Sequence, residues 1–179
     1  MAIIGIAGNI NSGKDEVGKA ILRLLESREP EKNWQIVKFA DKLKDIICLL
    51  IGCTREQLED KEFKETPLEE EWWYYKYPNG QLYPYIGINP EFYKEYTPIK
   101  LTPRKFLQLL GTECGRNIIH PNIWINALFV NYISKILDDY RCVYPDWIIT
   151  DVRFINEAEA IKKHGGILIQ VFRPDVITN

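Results

Sequence analysis

The chain has 179 residues, with 23 Lys and Arg against 25 Asp and Glu, a formal charge of −2. That near-neutral balance argues against a protein that coats nucleic acid or an anionic membrane. Apolar residues make up 46% and charged residues 27%, the composition of a soluble globular chain long enough to bury a core. No run of about 18 apolar residues is present to span a bilayer. The start of the chain has no basic segment and too short an apolar stretch for a secretory signal, so the sequence reads as cytoplasmic. Cys48, Cys53, Cys114 and Cys142 include no CxxC pair, and the two histidines, His120 and His164, lie far from any such pair. Free thiols are expected, with no structural zinc.

Residues 3–7 form a short apolar run ending at Gly8, the pattern of a buried strand. Val17, Ala20, Ile21, Leu24 and Leu25 then recur at helical spacing opposite Lys19, Arg23 and Glu26. A strand is expected around residues 35–39. A second amphipathic helix carries Leu43, Ile46, Ile47 and Leu50 and is closed by Gly52. Thr54-Arg55-Glu56-Gln57 has capping-box spacing, so a short third helix starts there.

Composition changes at residues 72–96, where ten of the 22 aromatic residues fall together with three prolines. Asn79-Gly80 between Tyr-rich flanks signals a hairpin. Residues 66–100 read as an aromatic-rich insertion on a single domain of residues 1–179, its rings packing against the main body rather than stacking bases. Thr102-Pro103 opens a helix through Phe106, Leu107 and Leu110. Another helix is expected from about Asn122 to about Leu137, with Ile123, Ala127, Val130 and Leu137 inward. Residues 146–151 read as a buried strand with a carboxylate at its end. Asn156-Glu157-Ala158-Glu159 has capping spacing for a helix closed by Gly165-Gly166, and residues 167–172 form a last strand before Arg173-Pro174. Strands alternating with helices predict an α/β fold with a largely parallel sheet flanked by helices. Gly8, Asp151 and Arg173 all follow strand ends, so one crevice at the carboxyl ends of the strands is the expected site.

Gly8-Asn9-Ile10-Asn11-Ser12-Gly13-Lys14 fits G-x-x-x-x-G-K, the phosphate-binding loop. Its glycines let successive N–H groups point inward, the following helix adds its positive end, and Lys14 meets the outer phosphates. Asp15 stands where Ser or Thr would coordinate Mg²⁺, and is either a metal ligand or a helix cap. Asp151 occupies the place of a second magnesium-organising carboxylate, and Arg153 beside it suits an anion. Arg104, Arg116 and Arg173 are further anion-binding candidates. The chain has no Asn-Lys-x-Asp motif of a GTPase, no Glu directly after Asp151 as in motor-type ATPases, and no G-x-G-x-x-G. A small-molecule kinase remains.

In four ordered blocks the chain resembles the deoxynucleoside monophosphate kinases of bacteriophages and related viruses. These are Gly8 to Asp15; Phe39-Ala40-Asp41-Lys42-Leu43-Lys44 with Lys61-Glu62-Phe63-Lys64; Arg104 through Arg116 with Gln108 and Gly111-Thr112-Glu113, then Trp124; and Thr150-Asp151-Val152-Arg153-Phe154 with Asn156-Glu157, followed by Arg173-Pro174. The resemblance implies a nucleoside-monophosphate-kinase-like phosphate-loop fold. It implies transfer of the terminal phosphate of ATP to a deoxynucleotide 5′-phosphate, with Mg²⁺ bridging, in the service of DNA precursor synthesis in a host cytoplasm. Carried over by position, Gly8, Asn9, Asn11, Ser12, Gly13, Lys14, Asp15 and Glu16 would hold ATP, and Asp15 and Asp151 the metal. Asp41, Lys44, Lys64, Arg104, Gln108, Thr112, Glu113, Arg116, Trp124 and Arg153 would hold the acceptor, with Lys14, Arg104, Asp151 and Arg153 acting in catalysis. Members of that family continue past the Arg-Pro, so a lid over the adenine is expected to be absent, replaced by the aromatic insertion, or supplied by a partner subunit, as in a homodimer.

Two other readings stay open on the residues alone. One is a phosphate-loop kinase for another small phosphorylated acceptor. The other is a non-catalytic nucleotide- or single-strand-binding module, against which the −2 charge weighs.

Overall fold

The computed structural model describes residues 2–86, 96–132, 135–136 and 142–174. In chain order the strands are β1 (Ile3–Gly8), β2 (Trp34–Val37), β3 (Tyr74–Lys76), β4 (Leu82–Pro84), β5 (Lys135–Ile136), β6 (Cys142–Val143), β7 (Asp146–Val152) and β8 (Ile167–Val171). The helices are α1 (Lys14–Arg28), α2 (Asp41–Ile51), α3 (Arg55–Glu59), α4 (Lys61–Glu65), α5 (Pro103–Gln108), α6 (Ile123–Phe129) and α7 (Ile155–Lys163). A wide-turned π-helical segment, Leu109–Ile119, continues α5. The chain divides into two compact units, Met1–Lys42 with His120–Asn179, and Leu43–Ile119.

The first unit is built on a parallel sheet in the order β2-β7-β1-β8. Ile3 pairs with Trp147 on one side of β1, and Ile4 with Ile167 on the other. Such a strand has no solvent face, which is why it reads as a continuous apolar run. Ile6, Trp34 and Ile148 form the core under α1, which lays Val17, Ile21, Leu22 and Leu25 on them. Each fully buried isoleucine in that layer contributes about 1.5–3 kcal/mol. Gly18 lets α1 approach the sheet, because an added Cβ would lie 2.4 Å from Cγ2 of Thr150. On the opposite face Ile161 of α7 covers Gly5, and Phe129 of α6 packs near Trp147 and stacks on His164 at 4.1 Å.

Two sequence expectations need correction here. The helix expected over residues 122–137 ends at Phe129, and Lys135–Ile136 is extended. Its buried residues are Trp124, Ile125 and Leu128, while Val130, expected to face inward, is 64% exposed; Leu137 lies outside the described residues. The second concerns α7. Glu157, not Glu159, is its third residue, and its carboxylate accepts from the N–H groups of Arg153 (2.8 Å) and Phe154 (3.1 Å). Asn156 instead donates to Oδ1 of Asn122 at 2.7 Å.

In the second unit the capping box of α3 forms as its spacing predicts: Thr54 accepts from the N–H of Gln57, whose side chain accepts from that of Thr54. Asp60 ends α3 and caps α4, accepting from Phe63 at 2.7 Å, a helix the apolar pattern was too short to reveal. The hairpin β3–β4 turns at Asn79-Gly80, where Gly80 takes φ +87. Its aromatic rings pack on one another, as Trp73 and Tyr75 on Tyr85, and Trp72 packs on Phe106. Residues 87–95 of the aromatic stretch lie outside the described residues. Thr102 caps α5, accepting from Lys105, with Pro103 in the first turn. The helix then widens where the sequence pattern predicted only its continuation to Leu110, and Gly111 lies against Leu43.

Candidate active site

Parallel pairing puts the carboxyl ends of β1, β2, β7 and β8 on one edge of the first unit, and the residues expected at strand ends assemble there. The loop after β1 turns through Asn11 at φ +63 and Gly13 at φ +89. Nothing lies within 4 Å of a Cβ added at Gly13, so conformation alone demands glycine there. At Gly8 the demand is space, since a Cβ would lie 2.6 Å from the carbonyl oxygen of Val171 and 2.7 Å from Oγ of Ser12. That hydroxyl is buried and has no hydrogen-bond partner among the described residues, a donor suited to a phosphate oxygen.

Lys14 opens α1 and donates Nζ to the carbonyls of Gly8 (2.8 Å) and Asn9 (2.6 Å). Burial holds its ammonium below the ordinary lysine value of 10.5, and the charge of Arg153 lowers it further, against the opposing pull of Asp15 and Asp151. A polyphosphate would offset both effects, because it supplies the negative charge the cluster lacks. Arg153 itself is exposed.

The two carboxylates are held differently. Asp15 is 58% exposed, and its Oδ1 receives the Thr150 hydroxyl at 2.8 Å and Nζ of Lys38 at 2.7 Å. Asp151 accepts from the N–H of Phe39 (2.8 Å) and of Ala40 (3.0 Å), one with each oxygen. It thus ties the end of β7 to the segment that follows β2. Burial raises its carboxyl above the ordinary value of 3.8, against those two donors. Each oxygen of Asp151 keeps a second lone pair, a donor suited to Mg²⁺, which commonly takes one or two carboxylates together with substrate phosphates. Lys38 was not singled out by sequence; the available signal was its place near the carboxyl end of the strand expected around residues 35–39.

Not every candidate joins the edge of that sheet. Glu16 is 77% exposed and pairs with Lys19 along the helix surface at 2.8 Å. Asp41 accepts from the N–H of Lys38 at 2.8 Å, a local bond at the start of α2. Trp124 is only 5% exposed and serves the core. Asn9 and Asn11, on the loop, and Arg173, just past β8, do lie at that edge, and all three are exposed.

In the second unit, Arg104, Gln108, Thr112 and Arg116 recur at four-residue intervals, which strings them along one side of the helix that α5 begins. Wide helical turns concentrate at functional sites. Arg104 pairs with Glu65, and Lys44 with Glu59. Gln108 and Glu113 are exposed, with Asn117 donating to Glu113 at 3.4 Å, and Lys64 is half-buried on α4.

A parallel α/β sheet with a lysine-bearing glycine loop after its interior strand, and an Asp-x-Arg at the end of the neighbouring strand, defines a phosphate-loop kinase. The family model for deoxynucleotide monophosphate kinase matches residues 87–179, and the chain belongs to that family. It is 28% identical over 190 aligned positions to the deoxynucleoside-5′-monophosphate kinase of Escherichia phage T5, covering 90% of this chain and 72% of the relative. It is 29% identical over 188 positions to a protein of Acanthamoeba polyphaga mimivirus provisionally named as a deoxynucleotide monophosphate kinase, covering 100% of this chain and 78% of that one. A deoxynucleotide monophosphate kinase of Escherichia phage RB69 is 29% identical over 70 residues, 39% of this chain and 27% of the relative. No helix among the described residues is long and apolar enough to cross a membrane.

Proposed function

We propose that the protein transfers the terminal phosphoryl group of ATP to the 5′-phosphate of a deoxynucleoside monophosphate. The observation that carries this reading is the edge of the parallel sheet in the first unit. There the loop of residues 8–14, the ammonium of Lys14, the carboxylates of Asp15 and Asp151, and the guanidinium of Arg153 interact electrostatically. Phosphoryl transfer asks for alignment and charge neutralisation rather than covalent chemistry from the protein, and this cluster supplies both. The loop amides and the Ser12 hydroxyl grip phosphate oxygens, Lys14 leaves its two carbonyls for the outer phosphates, and Arg153 neutralises charge on the transferring group. Asp15 and Asp151 would hold Mg²⁺, which when bound offsets phosphate charge. Lys38 balances Asp15 and keeps that carboxylate oriented.

Arg104, Gln108, Thr112 and Arg116 take the acceptor, with Lys44, Lys64 and Glu113 beside them in the chain's second unit. The near-neutral total charge and the family assignment favour a small nucleotide over a nucleic acid as the substrate. As a phage-type enzyme it would work in the host cytoplasm on precursors of DNA. The test is an ADP-release assay with ATP and Mg²⁺ across the common deoxy- and ribonucleoside monophosphates. Turnover with at least one deoxynucleotide is expected; turnover only with a different phosphorylated acceptor would replace this reading.

A further inference from the structure

Helix α2 ends in a reversal that brings two thiols together. Gly52 takes φ +68, the left-handed conformation that closes helices. The N–H of Cys53 donates to the carbonyl of Cys48 at 3.2 Å. A bond from the residue after a left-handed glycine back into the last turn marks a Schellman ending, in which the two residues it joins also set their side chains against each other. An apolar pair commonly fills that contact. Here both residues are cysteines, free and half-buried, with Sγ of Cys53 3.7 Å from Sγ of Cys48.

We propose that Cys48 and Cys53 form a reversible disulfide site, closed by exchange with a small-molecule disulfide. A disulfide needs its sulfurs at about 2.05 Å, a closure that rotation about the two Cα–Cβ bonds supplies while the backbone bond holds the residues together. Burial, and then the neighbouring Cys48, push the Cys53 thiol up to about 11, and Cys53 directs its S–H toward Cys48. The entering nucleophile is therefore Cys48. Its thiolate attacks one sulfur of the small disulfide, forming a mixed disulfide and expelling one small thiolate, which takes up the proton released by Cys48. Cys53 then loses its proton and attacks Sγ of Cys48, and the second small thiol leaves with that proton. Two protein thiols are oxidised and one small disulfide is reduced to two thiols; excess small thiol reverses the sequence. The bond would clamp the corner between α2 and α3, which Arg55–Asp45 (3.1 Å) and Lys44–Glu59 already tie.

The full chain is equilibrated in glutathione buffers from reducing to oxidising, quenched in acid, alkylated and digested with trypsin. Residues 45–55 emerge as one peptide holding both thiols, with no internal Lys or Arg. In oxidising buffer this peptide should be lighter by two hydrogens and unlabelled, and reducing buffer should restore both labels. The equilibrium constant should exceed that of the same chain in urea at least about tenfold, a shift of about 30 mV. In Cys53→Ser the mixed disulfide has no resolving thiol, so one glutathione should stay on Cys48. Two glutathiones retained on the native peptide, two alkyl labels in every buffer, or an equal constant in urea would each overturn the proposal.

Discussion

The edge of the parallel sheet and the helix of residues 103–119 hold their charged groups in opposite ways. At the sheet edge Lys14 is bonded to two carbonyls, Asp151 to two backbone N–H groups, and Asp15 to Thr150 and Lys38. Along the helix, Arg104 and Gln108 are exposed, and Arg104 pairs with the surface carboxylate of Glu65. Donors fixed in advance need no rearrangement when charge develops, whereas exposed long side chains give up rotamer freedom as a ligand orders them. The first arrangement suits the proposed polyphosphate, the second the proposed acceptor. Substitutions should separate accordingly, into losses of turnover or stability at the sheet edge and losses of acceptor affinity on the helix.

The largest effect is expected from Lys14→Ala, which should lower kcat at least about 100-fold in the ADP-release assay and leave the thermal unfolding transition nearly in place. Asp151→Ala should come next. It leaves two backbone donors without their acceptor, at a cost of about 1–3 kcal/mol, read as a lower urea midpoint. The pH dependence of that site has a definite sign. Burial raises the native carboxyl of Asp151 above 3.8, so the native state takes up its proton more readily than the unfolded chain. The stability this contributes is fully present below that pH and is lost as pH rises through the native value. Compared with Asp151→Asn, the wild type should therefore lose relative stability as pH climbs from about 4, and a gap constant across pH would contradict the assignment.

Arg104→Ala should raise the acceptor KM about tenfold with little change in KM for ATP. Its ion pair with Glu65 is half-exposed on both sides, so the unfolding midpoint should hardly move. A rise in the ATP KM instead would erase the distinction between the two regions. Glu16→Gln should do least, changing stability by less than about 0.5 kcal/mol and leaving steady-state rates at the wild-type level.

Where local chemistry decides the structure, the sequence was readable. The glycine loop, the capping box at Thr54, the cap at Thr102 and the Asn79-Gly80 turn each need only neighbouring residues, and each forms as its spacing indicates. Misreadings arose where distant packing decides. Val130 continued a helical period, yet the chain leaves the helix after Phe129, whose ring finds Phe39, Trp147 and His164. Asp151 was legible as a strand-end carboxylate; its bonds to Phe39 and Ala40, over 110 residues away in sequence, were not. Lys38 belongs with the loop for the same reason: only the pairing of β2 beside β7 carries it to Asp15. Trp124 was named by resemblance alone, and its burial on α6 could not be read from its neighbours in sequence.

The place of β8 beside β1 has a consequence for biosynthesis. The carbonyl of Val171 lies against Gly8, so the cradle proposed for phosphate borrows a wall from a strand far downstream in the chain. A nascent chain arrested before residue 167 would carry every loop glycine and Lys14 yet display one flank of β1 as a bare ribbon edge, open to pairing with another chain. Nucleotide binding should then switch on only once β8 has emerged, in a single step as that ribbon is sealed.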